Sequence, residues 1–96
     1  MSSIENVYRQ IVEIAIKNNA TKVILFGSRA RGDNGPKSDI DLAIYGCKNF
    51  SELVEQMNEE LWSLLQLDII NMEGSNVSEE LKQEIKRDGV ILYDKI

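Results

Sequence analysis

The sequence predicts one small α/β (α+β) domain: a mixed sheet of about four strands with helices packed mainly on one face. Two patterns predict it. Stretches with apolar residues at helical spacing alternate with short apolar, β-branched runs. The chain is also 96 residues long, which allows one compact unit over residues 1–96 and leaves no room for a second. Its 43% hydrophobic and 28% charged residues supply a core and an ordinary polar surface. There is no internal repeat, low-complexity tract or linker.

The elements follow in order. Ile4, Val7, Tyr8, Ile11, Ile14 and Ala15 recur at helical spacing, so residues 3–18 are read as a helix. Ser2 and Glu5 have capping-box spacing, Lys17 suits the C-terminal end, and Asn18, Asn19 and Ala20 break the pattern. Lys22 to Phe26 is a short β-branched run, expected as a buried strand that Gly27 ends. A short helix is expected from Ser28. Asp33 to Lys37 carries Asp, Asn, Gly and the only proline, Pro36, which is turn chemistry. Asp39 to Tyr45 alternates, with Ile40, Leu42 and Ile44 on one side and Asp39, Asp41 and Ala43 on the other.

Phe50, Leu53, Val54, Met57, Leu61, Leu64 and Leu65 form the next helical stripe, with Glu52, Glu55, Glu59 and Glu60 on a solvated face. Leu67 to Asn71 is a third strand. Ser78 caps a last helix with Val77, Leu81 and Ile85 as its apolar stripe, Lys86 and Arg87 in its last turn, and Gly89 as its stop. Val90 to Tyr93 is the final strand. Trp62 lies just off the stripe, open between core and a partner surface.

Composition removes several classes. With no histidine, a histidine-based triad or a histidine-rich zinc site is excluded. The net charge of −5 argues against an extended nucleic-acid surface, although Arg29 and Arg31 make a local basic pocket. Cys47 has no partner for an internal disulfide and reads as a small packing residue, so a reducing, cytoplasmic setting is expected. The first residues lack the basic patch and apolar run of a signal peptide. No apolar run is long enough to span a bilayer.

The chemistry concentrates in Gly27-Ser28-Arg29-Ala30-Arg31-Gly32, five turn residues, and then Ser38-Asp39-Ile40-Asp41-Leu42. Gly27 and Ser28 lie where a strand turns into a helix. Free N–H groups there suit a phosphate, and glycine lets backbone approach closely. Arg29 and Arg31 can donate to a polyphosphate. Asp39 and Asp41 are two apart on a strand, so both carboxylates share a face. They repel each other unless a divalent cation intervenes, and hard oxygen ligands with phosphate oxygens describe magnesium better than zinc. Asp68 sits among Leu67, Ile69 and Ile70, where an unpaired charge is costly. If its strand neighbours that of Asp39 and Asp41, the three carboxylates converge. Two can then hold magnesium while the third orients or deprotonates an attacking hydroxyl. Gly27 to Gly32 also fits the glycine spacing of a P-loop, but Asp33 stands where a P-loop needs lysine and would repel phosphate.

These residues resemble the signature of the minimal nucleotidyltransferase (MNT) domain, within the DNA polymerase β-like nucleotidyltransferase superfamily. The resemblance covers essentially the whole chain, including a trailing strand-helix-strand over Leu67 to Tyr93. It implies the nucleotidyltransferase fold. Gly27, Ser28 and Ser38 then stand at nucleotide-binding positions, joined by Arg29 and Arg31, and Asp39, Asp41 and Asp68 stand at the catalytic, metal-binding positions. It implies Mg2+, with two ions compatible, and ATP or another nucleoside triphosphate as substrate. It also implies a HEPN-domain partner, as in MntA-like antitoxins of HEPN/MNT toxin–antitoxin systems, some of which transfer AMP to a tyrosine of the toxin.

The expected function is thus transfer of a nucleoside monophosphate to a hydroxyl on a partner protein. A non-catalytic antitoxin that neutralises by docking is the alternative. So small a domain is also expected to form a homo- or hetero-oligomer. Plainer readings stay open: a solvated strand face for Asp39 and Asp41, an edge charge or partner of a buried arginine for Asp68, and salt bridges to the aspartates for Arg29 and Arg31.

Overall fold

The computed structural model describes residues 3–61, 65–74 and 77–95. The elements are α1 (Ser3–Lys17), β1 (Lys22–Phe26), α2 (Ser28–Arg31), β2 (Ile40–Tyr45), α3 (Phe50–Glu60), β3 (Leu67–Asn71), α4 (Glu79–Asp88) and β4 (Val90–Asp94). Every expected element is present, in the expected order.

The strands form one mixed sheet in the order β3-β2-β1-β4. β1 is antiparallel to β2 and to β4, and β2 is parallel to β3. The β2–α3–β3 segment is thus a crossover unit, the connection that parallel neighbours require.

Period two sorts the strand residues between faces. Val23, Leu25, Ile40, Leu42 and Ile44 point to one face and pack against Val7, Ile11, Ile14 and Ala15 of α1 and Leu53 and Met57 of α3. Ile11, Leu42, Ile44, Leu53 and Met57 are all fully buried. Phe26 and Ala43 point to the other face and meet Ile85 of α4, flanked by Ile24, Tyr45, Ile70 and Leu81. The two longest helices share one face as expected, and α4 alone lies across part of the opposite one.

Boundaries differ where local chemistry overrides periodicity. The α3 stripe predicts a helix through Leu65, but the helix stops at Glu60 and Leu61 is already extended, at φ −83° and ψ 111°. Trp62 and Leu64 lie outside the described residues, as does the Ser2 cap. β2 starts at Ile40, so Asp39 ends the preceding turn rather than opening the strand.

α1 ends where Asn19 enters the left-handed region at φ 63°, a conformation asparagine tolerates. Asn18 is buried, and its side-chain amide donates to the Ile14 carbonyl and to Gln56 Oε1, both at 2.9 Å. The Cys47 thiol donates to the Asn18 carbonyl at 3.3 Å. Asn18 therefore joins α1 to α3, and Cys47 is the buried packing residue its type suggested.

Ser78 caps α4 as expected, its hydroxyl accepting from the Leu81 N–H at 3.1 Å. Gly89 ends α4 for a reason other than a left-handed turn. A Cβ there would run into the Ile85 carbonyl and lie 2.7 Å from Cγ2 of Ile24, so a side chain would lift α4 off β1. Among the described residues no helix is long and apolar enough to cross a membrane.

Candidate active site

The site forms at the end of the sheet where β1 stops and β2 begins. Phe26 pairs with Asp41 in the antiparallel register, so Gly27 emerges directly beside Asp41. Gly27 has φ 78°, open to glycine at no steric cost. A Cβ at Gly27 would also collide with the Asp41 carboxylate. The glycine thus does two jobs: it turns the chain into α2, and it lets that turn lie against the acid.

α2 is a single turn. The Ala30 and Arg31 N–H groups donate to the Gly27 carbonyl at 3.1 Å, and Gly32, at φ 85°, closes the turn by donating to the Ser28 carbonyl at 2.9 Å. The N–H groups at its start have no intrahelical acceptor. So short a helix has little macrodipole. Any anion held there relies on those N–H groups, the Ser28 hydroxyl and nearby arginines.

The two arginines have separate jobs. Arg29 donates through Nε to the Ser38 carbonyl at 3.0 Å and through Nη2 to the Pro36 carbonyl at 3.3 Å. It ties α2 to the turn that delivers Asp39. The Gly35 N–H adds to that turn by donating to Ser38 Oγ at 2.8 Å. Arg31 reaches Asp33 Oδ2 at 3.2 Å and Glu84 Oε2 of α4 at 3.8 Å. Neither arginine pairs with Asp39, Asp41 or Asp68, so the expected alternative of salt bridges to those aspartates is replaced by these partners.

β2 and β3 are neighbours, with Asp41 and Asp68 directly in register. Adjacent strands run about 4.8 Å apart, so the two carboxylates share one face and one row. β3 is an edge strand, and Asp68 is exposed. The reading of Asp68 as partner of a buried arginine fails, because no arginine among the described residues is buried. Asp39 is exposed, two residues before Asp41.

Asp41 is half-buried, and burial is the first cause raising its pKa above the ordinary carboxylate value. Repulsion from Asp68, Asp39 and Glu84 raises it further, and Arg31 opposes the rise. The carboxylates therefore lie within electrostatic reach of one another.

This donor set fits a divalent cation. It is all hard oxygen, and its members repel until positive charge enters. Among the described residues no three or more acidic, thiol or imidazole side chains are gathered closely enough to enclose an ion by themselves. The described side chains alone therefore do not form the expected three-carboxylate set of Asp39, Asp41 and Asp68, and a magnesium ion here would need water and substrate phosphates to complete its shell.

Residues 9–96 match the polymerase beta nucleotidyltransferase family. The chain belongs to that family. Solved structures agree on the fold of this nucleotidyltransferase domain. A toxin–antitoxin structure with AMP-PNP superposes at TM-score 0.70 and 23% identity, over 91% of this chain and 73% of that one. A structure described as a minimal nucleotidyltransferase superposes at TM-score 0.70 and 20% identity, over 92% of this chain and 91% of that one. The MntA-HepT toxin–antitoxin structure gives TM-score 0.65 and 21% identity, over 94% and 72%. No curated protein matches the chain in sequence.

The candidate site thus brings together Gly27, Ser28, Asp41 and Asp68, with Asp39 two residues before Asp41, Arg31 beside it and Arg29 and Ser38 shaping the turn. Glu84 also faces it and has no place in the sequence reading. On sequence it is one more glutamate on a helix face, and only the packing of α4 over Phe26 and Ala43 brings it there.

Proposed function

We propose that the chain transfers the nucleoside monophosphate of a magnesium-bound triphosphate, ATP by preference, to a hydroxyl on a partner protein. We further propose that the partner is a HEPN-type toxin, that transfer makes this chain its antitoxin, and that both work in the cytoplasm as a hetero-oligomer. One observation carries the chemistry: Asp41 and Asp68 stand in register on parallel strands, against a glycine turn that only a missing side chain admits. The partner is supported by the toxin–antitoxin structures that share the fold, one of them with AMP-PNP.

Asp39 and Asp41 are the residues that would hold magnesium, with Asp68 beside them, in register with Asp41. When bound, the ion neutralises phosphate charge and makes the α-phosphorus a better target. The Gly27–Ser28 turn and Arg31 hold the polyphosphate from the other side. Asp68, the more exposed acid on the sheet edge, orients the acceptor hydroxyl and takes its proton. A new bond forms between that oxygen and the α-phosphorus, the α–β bridging P–O bond breaks, and pyrophosphate leaves. Positioning and charge neutralisation supply most of the rate in such displacements.

The test is transfer of label from ATP carrying it at the α-phosphate, with a γ-labelled control. Label should enter a protein acceptor from the α-position only. Replacing Asp39 or Asp41 by Ala should reduce transfer by at least about 100-fold, in line with removal of a strong electrostatic stabiliser. Unchanged transfer by Asp39→Ala would remove the metal role assigned to it. Full neutralisation of the partner by the Asp39→Ala, Asp41→Ala double variant would favour docking without catalysis.

A further inference from the structure

α4 lies across the sheet face that carries the carboxylates. Ile85, 4% exposed, anchors it on Phe26 and Ala43. Phe26 immediately precedes Gly27, and Ala43 is two residues beyond Asp41. The residue before the anchor, Glu84, is therefore placed beside the site by core packing rather than by a flexible loop.

Its contact is with Arg31, whose guanidinium is shared between Glu84 Oε2 at 3.8 Å and Asp33 Oδ2 at 3.2 Å. Glu84 is 35% exposed at its side chain and Asp33 62%, so Glu84 is the more buried of the two acids, while Asp33 makes the shorter contact. Arg29 is committed to the backbone of the turn through the Ser38 and Pro36 carbonyls. Arg31 is therefore the arginine of the signature that can change partners. A phosphate competing for it must take it from a carboxylate.

We propose that Glu84 is a positioning residue: it holds the Arg31 guanidinium at the rim of the site in the nucleotide-free protein, and the triphosphate takes Arg31 over from it. This rests on the nucleotide-binding reading above. Glu84 then sets a threshold for binding. A polyphosphate gains Arg31 only by displacing these contacts, so removing Glu84 takes away one of the two carboxylates that hold the guanidinium and binding tightens. The gain is small, because a partly exposed pair at this distance is weak.

The test is ATP binding with magnesium to the isolated chain, by calorimetry, for four proteins: unaltered, Glu84→Gln, Arg31→Gln and the double variant. Glu84→Gln should bind ATP about two- to fivefold more tightly, the range of a partly exposed ion pair. In the Arg31→Gln background the same change should leave the dissociation constant within about twofold, because the route through Arg31 is gone. Thermal midpoints should stay alike, since a merely structural role would move those first. Equal tightening in both backgrounds would show Glu84 acting only as a bare charge, and no change or weakening on Glu84→Gln with Arg31 intact would remove the competition; each overturns the proposal. No binding by the unaltered chain would overturn the nucleotide reading itself, and this inference with it.

Discussion

At the scale of single residues, the site is organised by what Gly27 lacks. Its φ of 78° and its contact with the Asp41 carboxylate are two independent demands for glycine. Gly27→Ala should destabilise the fold by about 1–3 kcal/mol, and any ATP binding should be lost because Asp41 is pushed aside. Denaturant melts and calorimetry check both. Asp41 makes the opposite kind of prediction. Its raised pKa means that the folded, metal-free protein disfavours the ionised form. The fold binds that proton more tightly than the unfolded chain, so this contribution to stability is present at low pH. It is lost as pH rises from the ordinary carboxylate value through the raised one. Asp41→Asn should therefore make the metal-free protein slightly more stable at neutral pH, by less than about 1 kcal/mol given partial solvent screening, and so raise its thermal midpoint. The same variant should lose the midpoint increase that magnesium with ATP gives the unaltered chain. A variant less stable than the parent without metal would contradict the charge argument.

At the scale of elements, the parallel pairing of β2 with β3 converts a sequence motif into a site. Asp39 and Asp41 were legible as a pair because they lie two apart, and the glycine turn because strand, glycine and helix follow in order. Asp68 was legible only as a conspicuous charge in an apolar strand. Its register with Asp41 is a long-range property that no local pattern encodes. Glu84 was invisible for the same reason, since its place depends on how α4 docks. The overlong α3 prediction has a simpler cause. Leucines at 61, 64 and 65 continue the helical period, yet an apolar residue can serve a packed turn as well as a helix, and Leu61 is buried while extended. Asn18 shows the reverse case, a residue read as a helix breaker that in fact joins α1 to α3. Asn18→Ala should cost about 1–3 kcal/mol by removing both hydrogen bonds of the buried amide and leaving the Gln56 amide oxygen short of a donor, while the Ile14 carbonyl keeps the backbone N–H of residue 18, without changing ATP affinity. Urea melts and calorimetry separate the two effects.

At the scale of the whole molecule, the helices divide the labour. α1 and α3 bury one face of the sheet and supply most of the core, while α4 covers only part of the other. The carboxylates stay open at one end of that partly covered face. The family match spans residues 9–96, almost all of the chain. Under the proposed function, an acceptor hydroxyl comes to the Asp41–Asp68 row, on a surface shaped by α4 and the sheet edge. The most direct test is the intact mass of a HEPN-type partner after incubation with the chain, ATP and magnesium. The account predicts a partner heavier by one or more nucleoside monophosphates, with no increase when Asp41→Asn replaces the parent chain. A partner that is fully neutralised while its mass stays unchanged would contradict it.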